Sequence, residues 1–331
     1  MDNLNRFRPG SYLVHGLVLC TTVLASGCDG RLQRVRVEET RVLEFMVADI
    51  GRVAAFADNG YIRVRPSATA DAIRVVATIV AAGRDQEDAE KALAAVEILT
   101  PRTGDNEATQ EIRWAWNGRH PMHWSASVSF DIEIPAALEL AATTDNGEIE
   151  SLGITGNRQL ETDNGRIRSS DWVDDDPLPA GGQFAATDAT VVARADNGEI
   201  DIESAAGSLV LRTDNGPIRT RSSARNVKIE TDNGAVQARL TASGRLDGRI
   251  RTNNGSVEVL LNPEISTRID CRTDSGSVRD RALPLREGSV QRPLDRQLKG
   301  VMGAGEGLLE IETDNGSITL EGMPAAPTIN R

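Results

Sequence analysis

The stretch Leu211-Arg212-Thr213-Asp214-Asn215-Gly216-Pro217-Ile218-Arg219-Thr220 is written again eighteen residues later as Ile229-Glu230-Thr231-Asp232-Asn233-Gly234-Ala235-Val236-Gln237-Ala238. The same Thr/Ala-Asp-Asn-Gly punctuation occurs nine times, at Asn59-Gly60, Asn146-Gly147, Asn164-Gly165, Asn197-Gly198, Asn215-Gly216, Asn233-Gly234, Asn254-Gly255, Ser275-Gly276 and Asn315-Gly316, with Asn253 replacing the Asp in one copy. From Gly147 the steps are 18, 33, 18, 18, 21, 21 and 40 residues. A unit of 18 to 21 residues cannot bury an apolar face alone, so a repeat of this length with one turn per period predicts stacked coils.

Two columns flank each turn. Two residues after the glycine stand Ile62, Ile149, Ile167, Ile200, Ile218, Val236, Val257, Val278 and Ile318. Two residues before the Thr or Ala stand Ala55, Ala142, Leu160, Ala193, Leu211, Ile229, Ile250, Cys271 and Ile311. Charged residues alternate with them, including Glu161, Arg212, Glu230 and Arg251 on one side and Glu150, Arg168, Asp201 and Arg219 on the other. Period-two alternation on both sides of a turn means two short strands per unit, each with one buried face. Asn-Gly is also the strongest short hairpin signal, because type I′ turns need positive φ at both central residues, so a meander of hairpins is the competing architecture. The recurring columns favour an all-β solenoid or β-helix, since coils about 4.8 Å apart require a common register. In that register Glu150, Arg168, Asp201 and Arg219 alternate in sign from coil to coil, which accounts for an exposed charged face without a ligand.

The chain opens as a targeting segment. Arg6 and Arg8 precede an apolar run from about residue 12 to 25, too short to span a bilayer as a helix, and Leu24-Ala25-Ser26-Gly27-Cys28 follows. That ending resembles a bacterial lipoprotein box, which implies that residues 1–27 are removed and Cys28 becomes the lipidated first residue; Asp29 resembles an inner-membrane retention signal. Without residues 1–27 the chain has 35 basic and 48 acidic side chains and a formal charge of −13, which argues against a nucleic-acid partner. Cys20 lies in the signal, and Cys271 stands in an inward column as a small core residue, so no disulfide is expected.

Residues 28–38 read as a tether, 39–137 as an N-terminal β part, 138–322 as regular coils and 323–331 as a tail. Within 39–137, Ile73 to Val80 reads as a strand, and Asp85 to Val96 as the one short helix, capped by Asp85. Glu111 to Trp116 and Trp124 to Ile134 read as further strands, the second placing Trp124, Ala126, Val128, Phe130, Ile132 and Ile134 on one face. About fifteen extra residues between Gly165 and Gly198, and about twenty between Gly276 and Gly316, are expected as loops on the rim.

Over nearly all of residues 40–321 the chain resembles the bacterial putative-adhesin domain family. The resemblance rests on the Thr-Asp-Asn-Gly-x-Ile turns, the early Ala57-Asp58-Asn59-Gly60-Tyr61-Ile62 copy, the Asp85-Gln86-Glu87-Asp88-Ala89 helix start, Phe130-Asp131-Ile132-Glu133-Ile134-Pro135, and Gly305-Glu306-Gly307-Leu308-Leu309-Glu310-Ile311 before the last turn. It implies a β-solenoid of the cell envelope, an adhesive role by name only, and no catalytic residues.

Chemistry is sparse in the residues themselves. His120 and His123 sit in Asn117-Gly118-Arg119-His120-Pro121-Met122-His123, a loop between strands without an evident third zinc ligand. No nucleophile elbow or phosphate loop occurs, so neither an enzyme, a cofactor nor a small-molecule substrate is expected. Asp145, Asp163, Asp196, Asp214, Asp232, Asp274 and Asp314 would be stacked, where like charges repel by about 1 kcal/mol per pair even in water. Two arrangements would offset this: backbone N–H bonds to each carboxylate within its own turn beside a ladder of Asn amides, or Ca²⁺ bridging neighbouring turns. Trp172 with Asp174, Asp175 and Asp176 forms a candidate loop for an unidentified protein or glycan partner, unless Trp172 folds back over a coil. The sequence reading is thus a non-catalytic, membrane-anchored envelope protein, with a polysaccharide-binding or polysaccharide-degrading β-helix, or a Ca²⁺-binding envelope protein, as alternatives.

Overall fold

A computed structural model describes residues 34–69, 71–105, 108–173, 188–204, 207–292 and 294–324. The described chain is all-β apart from one helix, and its strands form a twelve-stranded and a fourteen-stranded sheet. Every Asn-Gly turn carries the chain from one sheet to the other. The strands before the turns, among them Glu139–Asn146, Arg158–Asn164, Thr190–Asn197, Ser208–Asn215, Asn226–Asn233 and Asp247–Asn254, lie side by side and parallel in the larger sheet. The strands after the turns do the same in the smaller sheet, where Ile149, Ile167, Ile200, Ile218, Val236 and Val257 are paired in register.

Both sequence columns face the core. All nine residues from Ala55 to Ile311 in the first column are wholly buried, and no member of the second exceeds 5 % exposure. They belong to one apolar cluster shared by the two sheets. The parallel ladder explains this insensitivity to which aliphatic stands where: each inward side chain packs on its own counterpart one strand away, so only shape and register have to match.

The turn glycines are not needed for the reason a hairpin would require. None of the nine has positive φ; among the described glycines that conformation occurs at 104, 118, 153, 244, 288, 303 and 305. Instead, a Cβ on Gly216 would lie 2.0 Å from the carbonyl oxygen of Gly198, and the same close approach recurs along the column. Glycine is there because the neighbouring turn stacks on its α-carbon, so the type I′ hairpin alternative does not describe these turns.

Two features depart from the sequence expectation. The final unit is stacked out of chain order: Gly307–Asn315 lies between Asp247–Asn254 and Ile265–Ser275, and Ile318–Gly322 between Val257–Leu261 and Val278–Arg281. The extra residues before it are not all rim loop, since Gln297–Met302 pairs antiparallel with Ile265–Ser275 and covers what would be an open edge. The second departure is Val35–Met46, a strand pairing antiparallel with Ala72–Gly83; residues 35–38, read as the end of the tether, already belong to it. Its charged residues recur without strict alternation, which hides it from a period-two search.

At the N-terminal end Arg52–Asn59 and Ile62–Pro66 stack directly on the Gly147 unit, across more than eighty residues of chain. Ser125–Ile134 pairs parallel with Ile62–Pro66 and antiparallel with Ala72–Gly83. The helix Gln86–Ala94 follows its expected cap, the Asp85 side chain accepting from the Asp88 N–H, and buries Ala89, Ala92 and Leu93. Residues 1–33, including Cys28, lie outside the described chain, as do Asp174, Asp175, Asp176 and the tail from 325.

Candidate functional site

The repeated turn builds three side-chain and backbone ladders. Asn amides donate in series from unit to unit: Asn146 to Asn59 (3.0 Å), Asn164 to Asn146 (3.0 Å), Asn197 to Asn164 (3.1 Å), Asn215 to Asn197 (3.0 Å), Asn233 to Asn215 (3.0 Å), Asn254 to Asn233 (2.9 Å) and Asn315 to Asn254 (2.9 Å). Threonine hydroxyls, such as those of Thr144 and Thr213, donate to the glycine carbonyl of the neighbouring turn at 3.0 and 3.1 Å. Turn N–H groups are also used between units, Gly216 donating to the Asn233 carbonyl at 3.0 Å. The Asn ladder therefore matches one half of the sequence expectation. Its other half is corrected, because among the described residues no Asp of the column accepts an N–H of its own turn; those N–H groups already serve the next unit.

The carboxylates point outward, and two of them are relieved by neighbouring side chains. Asn253 donates to Asp232 at 3.1 Å, and Arg212 lies 3.6 Å from Asp214. At the end of the column, burial and then the neighbouring Asp145 raise the Asp58 pKa. Among the described residues no three His, Cys, Asp or Glu side chains are grouped to hold a metal ion.

The charged column alternates as read, with Glu150, Arg168, Asp201 and Arg219 on successive paired strands. The ion pairs run partly askew: Arg168 reaches Glu150 at 3.5 Å, whereas Asp201 is held by Arg166 at 2.9 Å and Arg219 by Glu199. Cys271 is buried and unpaired, and desolvation pushes its thiol pKa far up, which makes it inert core rather than a nucleophile.

The loop between Thr109–Trp116 and Ser125–Ile134 forms the most distinctive side-chain constellation. Three of the four tryptophans meet there: Trp116 lies edge-on to Trp114 at 5.7 Å and 6.2 Å from Trp124, and stacks on His120 at 4.4 Å. Asp88 on the helix ties the loop down. Its carboxylate accepts from the Arg84 N–H at 2.9 Å and from the Trp124 indole at 2.7 Å, and it pairs with His123 Nε2 at 2.9 Å. These bonds, led by that of the Arg84 backbone, hold the Asp88 pKa down at about 2. Both nitrogens of His123 are engaged, Nδ1 lying 3.0 Å from Arg84 Nη2, so the ring acts as a clamp and not as a free base. The loop tip, with His120 and a fully exposed Met122, faces solvent. Sequence reading found the loop but missed Asp88, whose partners lie 35 and 36 residues away.

Trp172 is half-buried against the following unit, its indole donating to Glu203 at 3.1 Å. Beside it is a second group that the sequence reading missed. Arg158, 2 % exposed, stands where neighbouring units carry Leu140 and Val191, and is paired with Asp171. Ser169 and Ser204 each lie 3.0 Å from its guanidinium. Burial lowers the Arg158 pKa, which Asp171 partly restores. A charged residue in a column otherwise of Leu, Val and one Gly was the available signal.

No family model matches this chain, and no curated protein does. Solved structures of low similarity do align along most of it. A putative adhesin from Bacteroides fragilis is 9 % identical with a TM-score of 0.44, covering 86 % of this chain and 97 % of its own. A putative lipid binding protein from Parabacteroides distasonis is 12 % identical with a TM-score of 0.40, covering 87 % and 97 %. A putative adhesin from the same organism is 12 % identical with a TM-score of 0.39, covering 86 % and 97 %. The architecture described above rests on this chain's own strand pairing.

Proposed function

We propose that this protein is a lipid-anchored, non-catalytic β-solenoid of the bacterial cell envelope that presents an extended surface for contact, as an adhesin or structural scaffold. The observation that carries the reading is the in-register stack of turns whose Asn, Thr and backbone groups satisfy one another. Polar groups saturated in this way serve to hold a long rigid body, and leave recognition to loops and outer faces. The anchor part rests on Leu24-Ala25-Ser26-Gly27-Cys28, and among the described residues no helix is long and apolar enough to cross a membrane.

Cys28→Ala tests the anchor: metabolic labelling with a lipid precursor should disappear, and the protein should leave the membrane fraction. Unchanged partition would remove this anchor from the proposal. Glycan-array and pull-down binding with the Trp116–His120 loop intact or replaced tests the contact role; a polysaccharide-directed role is favoured specifically by the ring stack at that loop, where exposed His120 lies on half-buried Trp116.

A further inference from the structure

We propose that Val35–Met46, the end strand of the twelve-stranded sheet, pairs antiparallel with the same strand of a second copy, making one continuous sheet about a two-fold axis at Thr40. The inference goes beyond the proposed function and does not depend on the anchor. Among the described strands this one pairs only with Ala72–Gly83, so from Arg36 to Glu44 its other edge offers backbone N–H and C=O groups to a further strand. The remaining sheet ends are short: Val96–Leu99 and Val278–Arg281 have four residues each and Gly244–Arg245 has two. Val35–Met46 has twelve, contains no proline, and pairs with its neighbour residue for residue without a bulge.

The side chains specify the partner. Two antiparallel copies can slide only by two residues at a time, because a one-residue slip sets the outer face of one strand against the core face of the other. With Thr40 opposite Thr40, Arg36 meets Glu44 and Arg41 meets Glu39, each twice by symmetry, while Val37 meets Leu43 and Glu38 meets Val42. Sliding one way from this register opposes Arg41 to itself and Glu38 to Glu44. Sliding the other way opposes Glu39 to itself. Charges on an edge strand ordinarily repel a foreign strand. Here they are matched in one register with an identical strand.

The surroundings leave these groups available. Arg36 is exposed and forms no ion pair among the described residues. Glu44 lies 3.8 Å from Arg74, whose nearer carboxylate is Glu133 at 3.2 Å. Arg41 uses Nε on Glu39 at 2.7 Å and Nη1 on the Val96 carbonyl at 2.6 Å, which leaves Nη2 for the second copy's Glu39. The helix Gln86–Ala94 packs on the core side at the Val35 end of the strand, where Gly83, paired with Val35, closely approaches Ala89. Antiparallel pairing sets the second copy's helix at the opposite end, so the two helices do not collide.

The test combines light-scattering mass and disulfide trapping on the full-length protein in detergent. The parent should be a dimer that dissociates on dilution. Arg36→Glu should raise the dissociation constant by about tenfold or more, with an unchanged circular-dichroism spectrum, because two attractive pairs become repulsive. Adding Glu44→Arg to Arg36→Glu should restore the dimer. Under mild oxidation Thr40→Cys should link two copies, whereas Glu38→Cys and Val42→Cys should not, since each would lie roughly 13 Å from its own counterpart. The parent, oxidised alongside, controls for its own cysteines. A monomer at every concentration, a dimer indifferent to Arg36→Glu, failure of Glu44→Arg to rescue it, or linking at Glu38→Cys or Val42→Cys in place of Thr40→Cys would each overturn the pairing. Because mass and linking are read in detergent, failure of the Cys28 anchor would leave this result standing.

Discussion

Gly216→Ala should be among the most damaging one-carbon changes in the molecule. Its new Cβ would lie 2.0 Å from the Gly198 carbonyl oxygen and 2.6 Å from the carbonyl carbon, both backbone atoms that no rotamer can move aside. Reaching ordinary contact requires neighbouring turns to part by about 1.4 Å, beyond what the bonds between them tolerate. The bonds exposed to that parting are the Gly198 N–H to the Asn215 carbonyl at 3.0 Å, the Asn215 amide to Asn197 at 3.0 Å, and the Thr213 hydroxyl to the Gly198 carbonyl at 3.1 Å. At about 1 kcal/mol net for each, the loss is about 3 kcal/mol. For a body of this size that corresponds to a melting temperature lower by roughly 5 °C.

Circular-dichroism melts of the full-length protein in detergent would measure it. Gly216→Asn gives the decisive comparison. Asparagine tolerates positive φ better than alanine does, so a glycine kept for a left-handed turn would accept Asn more readily. Gly216 has no positive φ, and both substitutions should be equally harmful. At Gly244, with φ +74° and open space around its α-carbon, Asn should be the milder of the two. A Gly216→Ala protein within about 1 kcal/mol of the parent, or a Gly216→Asn protein much milder than Gly216→Ala, would refute the stacking explanation.

Ile218→Asp should cost several kcal/mol by placing a carboxylate in the core, whereas Arg219→Asp should stay within about 1 kcal/mol; equal effects in denaturant unfolding would mean that the register is wrong. Arg158→Ala should destabilise by about 3–5 kcal/mol because it leaves Asp171 buried without its cation, and Arg158→Leu combined with Asp171→Leu should recover most of that in the same assay. Asp88 contributes stability that is fully present above the ordinary carboxylate value of 3.8 and is lost as pH falls through its folded value of about 2. Melting temperatures between pH 4 and 2 should therefore fall less steeply in Asp88→Asn than in the parent, and identical slopes would remove Asp88 from the clamp.

The sequence by itself determined the unit. Two β-branched or aliphatic columns at fixed offsets from Asn-Gly specify which side of each strand is buried, because side-chain direction in a strand alternates with period two whatever the strand's neighbours are. It also specified the helix cap at Asp85, a local hydrogen bond three residues long, and the ladder of Asn amides, which follows from stacking identical turns. Tertiary structure alone decided the order of stacking. Nothing in the spacing of Gly255, Gly276 and Gly316 says that the last unit enters between the other two, since parallel strands with interchangeable inward columns satisfy one another in any order. It also decided the Asp88 clamp and the Arg158–Asp171 pair. Each joins residues whose separation along the chain carries no period of its own, and proximity between such residues exists only once the coils are stacked.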